Sequence, residues 1–123
     1  MRKIAIVLSL VVLAAAPAWA GADPVKVGPN IYKQIFENDK VRVSEVTFKP
    51  GDSIPPHSHN DHFVYVLENG KIDITKDGQT QTVDSQPGQV IWMSPETHSA
   101  VNNSPSDFKA LVVELKPLPE YTE

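Results

Sequence analysis

The run His57-Ser58-His59-Asn60-Asp61-His62-Phe63-Val64-Tyr65-Val66-Leu67-Glu68-Asn69-Gly70 carries, in order, three of the chain's four histidines, a strand-like apolar stretch and a tight-turn signal. Side chains alternate along a strand with period two, so His57 and His59 share one face. Pro55-Pro56 just ahead cannot donate to a ladder, which places the pair at the start of a strand or on a sheet edge. Asn60-Asp61 can bend the chain. His62 then opens Phe63–Glu68, apolar on both faces as a strand between two layers would be. Asn69-Gly70 is a hairpin signal, returning through Lys71–Thr75.

The same grammar extends in both directions. Val41–Phe48 alternates and ends at Pro50-Gly51, Asp77-Gly78 turns into Gln79–Val83, Pro87-Gly88 precedes Gln89–Met93, and Ala110–Leu115 is a last strand. The proline-bearing segments Gly21–Asn30 and Lys116–Glu123 are expected along the surface or at an edge. Beyond the first twenty residues no stretch carries a helical period, and there is no internal repeat. Many short strands with tight turns predict an all-β fold, a single small sandwich or barrel. The expected core is Val43, Val46, Phe48, Val64, Val66, Ile72, Ile74, Val90, Trp92, Leu111 and Val113.

Residues 1–20 read as a cleavable signal peptide. Arg2 and Lys3 give the positive start, Ile4 to Ala16 the apolar stretch, and Ala18-Trp19-Ala20 a small-x-small cleavage site before Gly21. The uncharged run from Ile4 to Ala22 would just span a bilayer, which takes about 20 residues, but Pro17 and the alanine-rich end suit a peptidase site better. The mature chain is then 21–123, one domain, periplasmic or secreted, with no membrane attachment after cleavage. Without Arg2 and Lys3 the 11 basic residues fall to nine against 15 acidic ones, a net charge of −6. No basic cluster accompanies that balance, so nucleic acid and anionic membranes are excluded as partners. The absence of cysteine excludes thiolate metal sites and thiol nucleophiles.

Imidazole is the commonest protein ligand for transition metals, and His57 and His59 fix half of a coordination shell. Counting by two from Val64 and Val66 brings His62 onto the inward face; without the bend, parity selects Asp61 instead, for two histidines and a carboxylate. His98 stands alone, just past Trp92-Met93-Ser94-Pro95, and by itself reads as an ordinary polar histidine. Asp61 and Glu96 are carboxylates beside the histidines, where either can serve as a base or an orienting partner. Asn102 fits a hydrogen bond near His98 or a turn-forming role equally well.

These two segments resemble the two motifs of the cupin superfamily, and the likeness covers most of the mature chain. In the first motif Gly51, His57, His59 and Gly70 fall in place, while the family's glutamate position lands on Phe63. Aligning Phe63–Glu68 with the family's strand text puts His62 at that ligand position. In the second, Gly88, Pro95, His98 and Asn102 follow the pattern, with one residue fewer between glycine and histidine and Glu96 near the second glycine's place. The wording is most similar to small single-domain cupins, some of the β-alanine degradation type; from these only fold and site carry over. The resemblance implies a double-stranded β-helix, or jelly-roll, barrel over 21–123. It implies a metal centre of His57, His59, His62 and His98. A shell of imidazoles suits a divalent transition metal, drawn from Fe, Zn, Ni, Cu and Mn, rather than Mg or Ca.

Three functions are consistent with this reading. One is a metal-dependent enzyme of oxygenase or isomerase type on a small polar substrate, another a non-catalytic metal- or small-molecule-binding cupin, and the last a structural cupin with a relic site. No unambiguous general base accompanies the histidines, so catalysis is left open. Barrels of this size often pair through an edge strand or an apolar outer face, and a homodimer is expected.

Overall fold

The computed structural model describes residues 21–117; the expected leader over 1–20 and the last six residues lie outside them. A single turn of helix, α1 (Pro24–Val27), precedes nine strands: β1 (Tyr32–Glu37), β2 (Val41–Phe48), β3 (Ser53–His59), β4 (His62–Glu68), β5 (Gly70–Lys76), β6 (Gln79–Ser85), β7 (Val90–Met93), β8 (Glu96–Val101) and β9 (Phe108–Leu115). They form two antiparallel sheets in the orders β1-β2-β9-β4-β7 and β3-β8-β5-β6, facing each other as a jelly-roll sandwich. The all-β expectation holds. β1 and the edge pairing of β3 with β8 complete what the sequence left unassigned.

Alternation dictates which residues meet between the sheets. Val46 and Phe48 of β2, Ile54 of β3, Val66 of β4, Ile72 of β5, Ala100 of β8 and Ala110 and Val112 of β9 are buried there, and Val64, Ile74 and Ile91 pack against them. Five expected core residues point the other way. Val90 and Trp92 are exposed, and Val43, Leu111 and Val113 are only half-buried, because Arg42, Ser44, Ile91, Met93, Val112 and Glu114 take the inward positions. β7 and most of β9 are apolar on both faces, so hydrophobicity alone does not fix their parity, and in β2 the polar Arg42 and Ser44 occupy inward positions beside Val46 and Phe48.

The two glycine-bearing turns have different outcomes. Asp77 (φ 51°) and Gly78 (φ 74°) are both left-handed and close the β5–β6 hairpin, as the sequence predicts. Asn69-Gly70 makes no hairpin: β4 and β5 lie in different sheets, and the chain crosses over here. Gly70 is needed for close approach, since a Cβ would come within 2.7 Å of the Phe108 Cβ.

The start of the described chain is tied to the site-bearing edge. Asp23 caps α1 by accepting from the Val25 amide at 3.0 Å, and the Ser58 amide donates to the Ala22 carbonyl at 2.8 Å. Ser58 lies between His57 and His59, so this bond holds the outer side of β3 while both histidines turn inward.

Candidate metal centre

All four histidines are buried inside the barrel. His57 and His59 project from β3; His98 sits opposite His57 in the β3–β8 register; His62 enters from β4 of the other sheet. The His57 ring lies 4.8 Å from that of His59 and 4.7 Å from that of His98, centre to centre, and His59 and His98 are 5.0 Å apart. One nitrogen from each of these three falls within 4.8 Å of the others. A shared ion needs them within about 4.4 Å, twice a metal–nitrogen bond of ~2.2 Å, so the set stands a few tenths of an ångström from coordination geometry. His62 stacks on His59 at 4.4 Å and borders the same cavity, beside the three-residue group. Asp61, its alternative, is exposed; its carbonyl accepts from the Leu115 amide, and its side chain belongs to no such cluster.

Three of the four rings have one nitrogen engaged at the back. Nδ1 of His57 donates to the Pro55 carbonyl at 2.8 Å, and Nδ1 of His62 to the Asn60 carbonyl at 2.7 Å. A carbonyl only accepts, so both rings carry Nδ1–H and leave Nε2 as a free lone pair. Nε2 of His57 is buried without a partner. His59 directs Nδ1 at Glu114 Oε2, 3.4 Å away. His98 Nδ1 lies 3.2 Å from Glu96 Oε2 but off the hydrogen-bond line, so that contact is electrostatic rather than directed. A back nitrogen held by a carbonyl or carboxylate and a front nitrogen left bare is the arrangement that orients imidazoles toward a metal.

Glu114 is the residue the sequence analysis missed. It is fully buried on β9, and its other oxygen, Oε1, accepts from Arg42 at 3.0 Å. Arg42 in turn grips Asp23 with two bonds of 2.9 and 2.8 Å. Asp23, Arg42, Glu114 and His59 thus form one chain of polar contacts from the N-terminal turn into the candidate metal centre. Burial raises the Glu114 carboxyl pKa, and Arg42 opposes that rise. The signal available was parity: Arg42 shares its face with Val46 and Phe48, and Glu114 shares its face with Ala110 and Val112.

The remaining candidates resolve as follows. Asn102, fully buried, donates to the Phe48 and Ser106 carbonyls and accepts from Ser104, so it organises the β8–β9 loop. Glu96 stands between His98 and Lys76, whose Nζ is 4.0 Å away. Tyr32, unread in the sequence, lines the cavity with its ring 6.0 Å from that of His57; burial first, and Glu114 second, push its phenol far above the usual range, so it keeps its proton. In front of the histidines lies a cavity of about 110 Å³ walled by Val46, Phe48, Ile72, Ile91, Ala100 and Phe108. Ile74, Val83 and Met93 border both this cavity and an outer depression with Lys76, Gln81 and Glu96.

Two outcomes are expected. Arg42→Met strands a buried Glu114 and should cost about 3–5 kcal/mol in urea unfolding, while adding Glu114→Gln should recover part of that loss. Burial lowers the pKa of His57 to about 4, and burial lowers those of His59 and His62 as well. Groups depressed in the folded state stabilise it above the unfolded value of ~6.5 and cease to do so as pH falls through the folded one. Metal-free protein should therefore lose stability from about pH 6.5 toward pH 4, with His57 alone contributing on the order of 3 kcal/mol, read as a falling thermal midpoint. A flat profile across that window would refute the burial of neutral imidazoles.

A family profile for the cupin domain matches residues 44–114, more than half of the chain. No curated protein matches the sequence. Among solved structures the chain is similar to a cupin domain from Bordetella pertussis Tohama I, with 24% identity, a TM-score of 0.67, and coverage of 71% of this chain and 93% of that one. It is similar to an RmlC-like cupin with a double-stranded β-helix from Methanocaldococcus jannaschii (14% identity, TM-score 0.58, 70% and 79% covered). It is also similar to the polyketide cyclase RemF from Streptomyces resistomycificus (27% identity, TM-score 0.54, 71% and 66% covered). The profile match runs from β2 to β9 through both histidine segments, and the two facing sheets repeat the architecture of these structures: the chain belongs to the cupin superfamily.

Proposed function

We propose that this cupin is an exported, metal-dependent enzyme that holds a divalent transition metal on His57, His59 and His98, with His62 as the fourth donor. The observation that carries the reading is the histidine cluster itself: a buried Nε2 on His57 has no protein partner, and one nitrogen from each of His57, His59 and His98 lies within 4.8 Å of the others. A buried polar atom left bare is costly unless a ligand completes it. The donor set, nitrogen from imidazole throughout, suits Fe(II), Zn, Ni, Cu or Mn. Such an ion polarises a coordinated oxygen or, if redox-active, supports oxygen chemistry.

The rest of the site narrows the ligand. Apart from the histidines, Ser85 and Tyr32, the cavity wall is aliphatic and aromatic. The favoured ligand is a small molecule with one polar head for the metal and an apolar body, rather than a molecule polar throughout. An apolar cavity of ~150 Å³ admits a benzene-sized guest, so the 110 Å³ here sets a body of a few heavy atoms. Glu96 and Lys76 line the depression beside the cavity, where they can meet a charged group of the ligand. RemF, a polyketide cyclase, is one protein of this fold that performs turnover, which favours an enzyme over mere storage.

Elemental mass spectrometry on protein purified from its native compartment should find about one metal per chain, and a redox metal there favours the enzyme. Zinc, or none, would favour a binding cupin. His59→Ala should abolish stoichiometric metal while circular dichroism still reports a folded barrel; unchanged metal content would sink the site. The chain recovered from that compartment should begin at Gly21, and an intact 1–20 segment would refute export by a cleaved leader.

A further inference from the structure

The cavity has two polar ends and a hydrocarbon middle. Its histidine end lies by Lys76, because Glu96 Oε2 is 4.0 Å from Lys76 Nζ and 3.2 Å from His98 Nδ1. Tyr32 belongs to the same end, with its ring 6.0 and 6.1 Å from those of His57 and His59. The β5–β6 hairpin carries the wall away from there. Lys76 faces Gln79 at the turn, Ile74 faces Gln81, Ile72 faces Val83, and Gly70 faces Ser85 at the far end of the ladder. Ser85 therefore closes the strand at the end opposite Lys76.

The floor of the cavity is built at that end. Phe48 and Phe108 face each other on β2 and β9 with rings 6.5 Å apart, and Phe108 packs where Gly70 has no side chain. Ser85 borders the cavity here and is 2% exposed, yet its hydroxyl makes no side-chain hydrogen bond among the described residues. Other hydroxyls are paired: Thr75 with Thr80, Ser58 with Thr97, Thr82 with Asp73. Ser44 is also buried without a partner, but it does not border the cavity. A buried hydroxyl in apolar surroundings is costly until something completes it, and at Ser85 the space for a partner is the cavity itself. No carboxylate, ammonium or guanidinium lines that space. A charged group brought to Ser85 would lose its water with no counter-charge to answer it, whereas an uncharged donor or acceptor needs only the hydroxyl.

We propose that Ser85 reads the far end of the ligand. The substrate class is a short chain with a head that binds at the histidines, a hydrocarbon middle against Ile72, Val83 and Ala100, and an uncharged hydroxyl, carbonyl or amide at its tail. This deepens the metal-site reading and rests on it for the head alone. The tail is read by a residue at the opposite end of the hairpin from the histidines.

The test titrates pentanol, and the pentanediol with a hydroxyl at each end, into the full chain by NMR. Protein stripped by a chelator is compared with protein loaded with Co(II). In the stripped form a bare imidazole nitrogen accepts from one hydroxyl and Ser85 meets the other, so the diol needs no metal to span the cavity. In both forms the diol should bind about 5-fold more tightly than pentanol. Ser85→Ala should remove that advantage and leave pentanol unaffected. Should Ser85→Ala misfold, Ser85→Cys keeps a similar volume with a weaker donor, and the advantage should shrink. A diol that binds no better than pentanol, or whose advantage survives the serine substitution, overturns the inference. If the visible spectrum shows no protein-bound Co(II) while the diol's advantage still follows Ser85, the metal reading fails and the tail-reading role of Ser85 stands.

Discussion

A carboxylate and a guanidinium share the interior of this barrel, and the arrangement of the histidine cluster depends on their pairing. Glu114 is fully buried, and a lone charge there would be prohibitive in a medium of low dielectric. Arg42 makes it tolerable, and Asp23 in turn satisfies Arg42. Each member sits on a different element: the cap of α1, the start of β2, the end of β9 and, through His59, the end of β3. The network therefore does two things with one set of bonds. It ties the N-terminal turn to both sheets, and it presents a carboxylate to the back of one imidazole. In the first motif the family's glutamate position holds no carboxylate, and Glu114 returns a negative charge behind the ring rather than in front of it.

That difference has a chemical consequence. A carboxylate that ligates directly lowers the charge of a metal centre and occupies one of its positions. A carboxylate held behind a histidine makes the ring more basic and fixes its orientation, while leaving the position open. With imidazoles at the front, an ion held there would keep its positive charge, and such a donor set suits transition metals better than calcium or magnesium. The apolar wall beyond it strengthens whatever electrostatic contact a bound head group makes there.

The fold was legible because its signals are local. Alternation, proline and glycine punctuation, and the left-handed turn at Asp77-Gly78 each act within a few residues. The pairing of His57 with His59 follows from the same short-range rule, and His98 needed the family motif because β8 reaches β3 only through the crossover. What stayed hidden was parity wherever a strand is apolar on both sides. Phe63–Glu68, Val90–Met93 and Ala110–Leu115 carry no hydrophilic face to break the tie, so Trp92 was read inward and Glu114 was passed over. Asn69-Gly70 misled for another reason: its glycine makes room for Phe108 across the sandwich, a contact between residues far apart in sequence.

Pro55 and Pro56 on β3 carry a consequence beyond the site. That strand is the outer edge of the four-stranded sheet, where bare amides would invite another strand to add on. Two successive residues without an N–H, and the Ser58 amide already given to the Ala22 carbonyl, leave that edge little with which to template growth. The strand that carries two of the buried histidines is thereby kept from becoming the seed of a fibril, and crowding can bring copies of this barrel together without their sheets fusing along that side.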